Sequence, residues 1–202
     1  MFKKATVLMQ QKLRGSDVKR LKKDMQLAFN LSDEELDSAV PNRSDVIMTK
    51  WSNRALVYAV DGRNPLVFDP VRGSRRVRAA HKRGALTHRR LTHRAAVASQ
   101  EGNNDLYPTV YLLWSFPKAL PSLLTYSEVS PKLLGGADLM LQGLITPEAG
   151  LGEWKEGDAR CVALPDNDFP FAVGSMVVSS DSLAKTGLKG RGLKLLHHFP
   201  DT

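Results

Sequence analysis

Apolar positions along the first third of the chain change period twice. Val18, Leu21, Met25 and Phe29 recur at helical spacing, so residues Asp17 to Phe29 are expected to form a helix with one apolar face, capped by Ser16. Ser32-Asp33-Glu34-Glu35 has the spacing of a capping box and opens a second, short helix that must end before Pro41. The period then drops to two. Asp45–Trp51, Arg54–Val60 and Pro65–Phe68 read as strands, with Asp61-Gly62 as a hairpin turn. Pro108 to Phe116 reads as a helix with proline in its first turn, and Pro117 and Pro121 break the segment after it.

After Ser127 the pattern becomes short apolar runs punctuated by glycine. Val129–Leu134, Leu144–Thr146, Ala159–Leu164, Phe171–Ser179 and Gly192–Phe199 are the expected strands, with a helical turn over Ser180–Lys185. Five short strands at this spacing predict a small barrel. Between the first two lie Gly135 and Gly136, then Ala137–Leu141 as one expected helical turn ending at Gly143. Glycines there allow a sharp turn and close approach to another molecule, or serve only the corner of a barrel.

Charge changes the picture less than its total suggests. The 202-residue chain carries a formal +8. Nine of its 29 basic residues fall between Pro70 and Gln100, a stretch without Asp or Glu, and the other 20 face 21 acidic residues. Nucleic-acid binding by the folded body must therefore rest on local geometry. Residues 70–101 have neither helical nor strand period and read as a disordered basic insertion. Lengthening a loop from about 5 to about 35 residues costs only about 1.7 kcal/mol of closure entropy. Were all nine cations to meet phosphates, the log–log salt slope would be about −6 to −8.

Catalytic and metal chemistry is not indicated. Cys161 is the only cysteine and sits in an apolar run, as a buried strand residue. No Walker loop or Gly-x-Ser-x-Gly occurs. His81, His88 and His93 are irregularly spaced among arginines, and His197 and His198 alternate across a strand. No metal, cofactor or small-molecule substrate is expected. No apolar run approaches the roughly 20 residues of a membrane span, and a cytosolic protein is expected. Gly187-Leu188-Lys189-Gly190-Arg191-Gly192 is a different kind of candidate. It is a flexible loop able to bring amides and two cations to phosphates, or a solvated turn before the last strand. Trp114 is expected in the core and Trp154 at the surface, while Lys3, Lys4, Lys12 and Arg14 flank the first strand-like segment.

Gly136-Ala137-Asp138-Leu139-Met140-Leu141-Gln142-Gly143-Leu144 resembles the signature of the PUA domain, a small RNA-binding pseudobarrel. Met1-Phe2-Lys3-Lys4, the run from Leu106 to Ser115, and Gly187 to Gly192 narrow the likeness to the ligatin family of translation initiation factors, relatives of the malignant T-cell-amplified protein. The resemblance spans residues 1–69 and 102–201. It implies an α+β architecture: an α/β pre-PUA domain over residues 1–126 interrupted by the insertion, then a PUA pseudobarrel over 127–202. Family members continue with a tryptophan-containing strand that closes the barrel, so an open barrel edge is expected here; Gln142 also stands where many PUA domains have proline. The resemblance further implies that Ala137–Ile145 lies beside Lys189–Leu193 on one RNA-contacting face. The implied RNA-binding residues are Gly135, Gly136, Ala137, Asp138, Met140, Gly143, Leu144, Lys189 and Arg191, with Lys3 and Lys4 in the first domain. The implied partners are small-subunit ribosomal RNA and the tRNA acceptor end, in GTP-independent tRNA delivery to the P site and in recycling, by shape and phosphate recognition through backbone amides. An accessory domain of an RNA-modifying enzyme and a protein-interaction adaptor are the alternatives.

Overall fold

The computed structural model describes residues 5–70, 106–148 and 150–200. The first sheet has five antiparallel strands in chain order: β1 (Val7–Lys12), β2 (Val46–Trp51), β3 (Leu56–Val60), β4 (Pro65–Asp69) and β5 (Tyr107–Pro108). Helices α1 (Gly15–Ala28) and α2 (Asp33–Ala39) connect β1 to β2. Leu21, Met25 and Phe29, on the expected helical stripe, are buried with Leu36 and with Val46, Tyr58 and Val60 from the sheet. The capping box of α2 is present in both directions: Glu35 N–H donates to Ser32 Oγ at 3.2 Å and Ser32 N–H donates to Glu35 Oε2 at 2.8 Å. Helix α1 departs from expectation. It begins at Gly15 with Arg14 as N-cap and no side-chain cap.

Helix α3 (Val110–Ser115) also starts later than expected. Pro108 belongs to β5, and the cap is Thr109, whose hydroxyl donates to Leu66 O at 3.0 Å and accepts from Leu112 N–H at 3.4 Å. Sheet pairing of Phe68 with Tyr107 claims the proline segment before the helix can. Val110, Leu112 and Leu113 join the first core, and so do Cys161 and Val173 from the second sheet. The indole N–H of Trp114 donates to Pro170 O at 2.8 Å, and His197 packs against Phe68 at 5.7 Å between ring centroids. The two sheets are thus fastened through a shared apolar seam.

The second sheet has six strands: β6 (Ser122–Thr125), β7 (Leu139–Met140), β8 (Leu144–Ile145), β9 (Ala159–Leu164), β10 (Asn167–Met176) and β11 (Arg191–His198). Their order is β7-β11-β10-β9-β6-β8, with β6 and β9 parallel and the other pairs antiparallel. The two end strands are consecutive in the chain, joined by one 3₁₀ turn, Leu141–Gly143. The sheet therefore curls until its ends meet, and continuous chain bridges them where an open edge was expected. Leu139, Leu141, Leu144, Val162, Met176 and Leu193 fill the interior. Trp154, expected at the surface, is buried with them, its indole N–H donating to Val178 O at 2.8 Å. Helix α5 (Ser180–Thr186) fills the place expected for a helical turn.

Two further expectations fail around the glycine corner. Val129–Leu134 is not a strand: Ser130–Leu134 forms helix α4, with Pro131 in its first turn, where a missing N–H costs nothing. Ala137–Leu141 is not a helical turn, because the edge of β11 is available and Leu139 pairs with Leu193 and Met140 with Arg191. The basic insertion from residue 71 to residue 101 lies outside the described residues, so its expected disorder has no structural counterpart here.

Candidate nucleic-acid interface

Lys132, Leu133, Gly136 and Ala137 close α4 with a Schellman cap. Ala137 N–H donates to Lys132 O at 3.0 Å and Gly136 N–H to Leu133 O at 2.9 Å. Gly136 has φ +96°, which only glycine adopts without strain, while Gly135 is right-handed at φ −77°. The chain leaves this cap along the barrel surface. Asp138 then does with its side chain what the short strand β7 cannot do with its backbone. Its Oδ1 accepts the N–H of Leu195 at 2.8 Å, one ladder step beyond the Leu139–Leu193 pair, and its Oδ2 meets Arg191 Nη1 at 3.1 Å.

The opposing wall is the turn before β11. Gly187 at φ +68° and Gly190 at φ +90° bracket Lys189. Leu141 N–H donates to Gly190 O at 2.9 Å, locking this turn to the 3₁₀ segment. The third glycine has a different task. A Cβ on Gly192 would sit 2.7 Å from Leu141 Cδ2, so this position must be bare for β11 to lie against the barrel core. The sequence suggests one flexible loop built on all three glycines; in the fold only the first two shape a turn.

Of the sequence-predicted residues, the structure joins Asp138 and Met140 to Arg191, with Lys189 in the turn that the Gly190–Leu141 bond pins to this segment and Gly135, Gly136 and Ala137 in the cap that precedes it. Met140 is 46% exposed, and Gly135, Gly136, Ala137, Lys189 and Arg191 are exposed as well. Exposed Lys132 and Lys194 lie on the flanking elements α4 and β11. Gly143 and Leu144 sit differently. The Gly143 carbonyl accepts the Thr125 hydroxyl at 2.6 Å, and the Leu144 side chain is buried in the barrel interior. They support the face from behind. Lys3 and Lys4 lie outside the described residues.

Much of the expected amide clamp is committed within the fold. The N–H groups of Gly135, Gly136 and Ala137 are consumed by the helix end, that of Leu141 by Gly190, that of Gly187 by Leu183, and that of Lys189 by Gly187. Six of the donors expected to face phosphate are thus spent on holding the corner together. Side-chain charge and the exposed apolar surface of Met140 are available to a ligand beside the amides not so engaged. Arg191 keeps part of its guanidinium fork, since Asp138 engages one nitrogen of a side chain that is 54% exposed.

Cys161, the chain's one thiol, is buried in β9 with its Sγ 3.1 Å from Ser122 Oγ. Burial raises its thiol pKa above the ordinary value, with the Ser122 bond pulling the other way. Among the described residues no group of three or more His, Cys, Asp or Glu side chains could hold a metal ion, and no helix is long and apolar enough to cross a membrane.

Comparison with known proteins agrees with this geometry. Residues 2–76 match the Pre-PUA-like domain model and residues 120–202 the eIF2D PUA domain model. Eukaryotic translation initiation factor 2D of Oryctolagus cuniculus is 34% identical over 193 residues, and that of Bos taurus 35%; each match covers 94% of this chain and 28% of the relative. The chain thus spans little more than a quarter of those relatives' length. Translation machinery-associated protein 20 of Saccharomyces cerevisiae is 22% identical, with 100% of this chain and 96% of that protein covered. Among solved structures, a hypothetical protein of Pyrococcus horikoshii OT3 superposes with a TM-score of 0.61 at 19% identity, covering 96% of each chain. A PUA domain of Aeropyrum pernix K1 gives 0.60 at 17%, covering 98% of this chain and 89% of that one. Those two likenesses establish the fold. With both domain models matched in order and the initiation-factor relatives aligned along nearly its whole length, the chain belongs to the ligatin family, that of eukaryotic translation initiation factor 2D.

Proposed function

We propose that this chain is a non-catalytic RNA-binding module of the translation apparatus, acting in the cytoplasm, whose barrel grips the acceptor end of tRNA on the small ribosomal subunit. The observation that carries the reading is the junction of β7 and β11. There Arg191 stands exposed opposite Met140 and Lys189 stands exposed in the adjoining turn, on a corner held by the Leu141–Gly190 hydrogen bond. Two cations beside a small apolar platform suit a phosphate and an unstacked terminal base. With six of the corner's amides committed internally, recognition falls mainly to the cations and to the shape of the corner. Family membership supports the step from RNA binding to translation, and GTP-independent tRNA delivery to the P site and recycling are the activities this reading assigns to the longer proteins. The remaining residues of the face, Gly135, Gly136, Ala137, Asp138, Gly143 and Leu144, hold its shape, while Lys3 and Lys4 reach ribosomal RNA.

The test is filter binding of tRNA and purified small subunits to the full chain and to a variant lacking residues 70–101. Affinity retained without the nine insertion cations supports the barrel as the reader. Affinity lost with them assigns binding to the insertion and overturns the proposal.

A further inference from the structure

Arg191 lies between two glycines. Gly190 takes φ +90° in the turn, and Gly192 must stay bare against Leu141. The register of β11 against β7 also shifts between Arg191 and Leu193. A shift of this kind re-aims side chains that strand alternation would otherwise direct. Among the described residues, one side chain ties Arg191 down. Asp138 Oδ2 holds its Nη1 at 3.1 Å, while Asp138 Oδ1 is itself anchored on the Leu195 N–H at 2.8 Å. The bond to Leu195 needs only an acceptor, which a neutral amide side chain would supply equally well. The negative charge has Arg191 as its partner. An exposed ion pair adds little to stability, and a carboxylate beside a phosphate site subtracts attraction from it. The acid is thus better explained by what it does to Arg191 than by what it does for the fold.

We infer that Asp138 is a positioning and specificity-determining residue of this face, an inference that rests on the assignment of RNA to the corner. It aims the unengaged edge of the Arg191 guanidinium at one phosphate of an unstacked, single-stranded RNA end, and it cancels one of the corner's charges. A guanidinium held at one nitrogen keeps its other N–H groups in a fixed plane, and that plane suits one phosphate geometry. The cancelled charge leaves less attraction for RNA that offers phosphates without that geometry. Lys189, in the adjoining turn, has no ion pair among the described residues, so its charge stays available to the same ligand. Asp138 in this way exchanges general affinity for RNA against selection of its end.

The test uses the full chain and one tRNA in two forms, intact and trimmed of its single-stranded 3′ end, with binding followed over a range of salt. Wild type is expected to prefer the intact form by about tenfold or more. Asp138→Asn keeps an acceptor for the Leu195 N–H and removes the charge. It is expected to bind the trimmed form about threefold tighter, with a log–log salt slope steeper by about 0.7, so that the preference narrows by about that factor. Arg191→Lys keeps the cation and loses the planar fork. Its preference is expected to narrow about threefold or more while its salt slope stays that of wild type. A proportionate loss for both forms in Asp138→Asn, a wild-type preference in either variant, or no preference in wild type would overturn the inference. Lys189→Glu/Arg191→Glu separates the two readings. Weaker tRNA binding there, with Asp138→Asn indistinguishable from wild type, sinks this inference alone; binding unchanged in every variant sinks the RNA assignment with it.

Discussion

Replacing Gly192 with alanine puts a methyl carbon 2.7 Å from Leu141 Cδ2 and 3.1 Å from its Cγ, where apolar carbons rest at about 3.5–4.0 Å. The overlap is close to 1 Å and has no easy outlet. Leu141 is fully buried, and its N–H is fixed on Gly190 O at 2.9 Å. Gly192 itself is held from the other side, its carbonyl accepting Val177 N–H at 2.9 Å. Overpacking of this kind costs about 1–3 kcal/mol, which lowers the melting temperature of a chain this size by roughly 2–12 °C. Whatever relaxation occurs must move β11 away from β7, and Lys189 and Arg191 with it, so RNA affinity is expected to fall as well. Leu141→Ala alone is expected to cost about 2–5 kcal/mol by cavity formation. In the double variant the new methyl occupies part of that cavity, so the two losses should sum to at least about 1 kcal/mol less than additively. Urea denaturation of the four proteins measures this. A Gly192→Ala chain as stable as wild type, or strict additivity in the double variant, would refute the packing argument.

Asp138→Ala strands the half-buried Leu195 N–H and is expected to cost about 1–3 kcal/mol, whereas Asp138→Asn keeps an acceptor and loses only a surface ion pair, about 0–1 kcal/mol; equal losses in urea denaturation would contradict the ladder-extending role. Trp154→Phe removes the indole bond to Val178 O and is expected to cost about 1–2 kcal/mol, while an unchanged stability would return Trp154 to the surface. The raised thiol pKa of Cys161 also has a sign that can be checked. The unfolded thiol ionises first as pH rises, so its contribution to stability is complete below about pH 8.5 and declines above it. The stability difference between wild type and Cys161→Ala should therefore narrow from about pH 8.5 to pH 10; a difference that widens would contradict the burial.

How far the sequence could be read depended on whether a segment's partners were local. The α1 stripe, the capping box of α2 and the alternation of β2 and β3 are set by residues within a few positions, and all are found. Around the glycine corner the deciding partner was remote. Leu139 and Met140 become a strand because Arg191 and Leu193 lie alongside, about fifty positions away; in isolation their apolar run suits a helical turn equally well. Trp154 fails for the same reason, since its glycine- and charge-rich neighbours suggest exposure while Val178 O waits across the barrel. The adjacency of Lys189 and Arg191 to the Gly136–Met140 motif was legible only through family resemblance. The consumption of the corner's amides was legible in neither way. A Schellman cap depends on where α4 ends, and its strand assignment hid that end.

The central claim is that the corner's cations hold RNA. Cosedimentation of Lys189→Glu/Arg191→Glu with purified small ribosomal subunits and with tRNA at physiological salt tests it most directly, using protein that melts like wild type. Loss of at least about tenfold in affinity for tRNA, about 1.4 kcal/mol, is the expected result. Unchanged association with both ligands would contradict it.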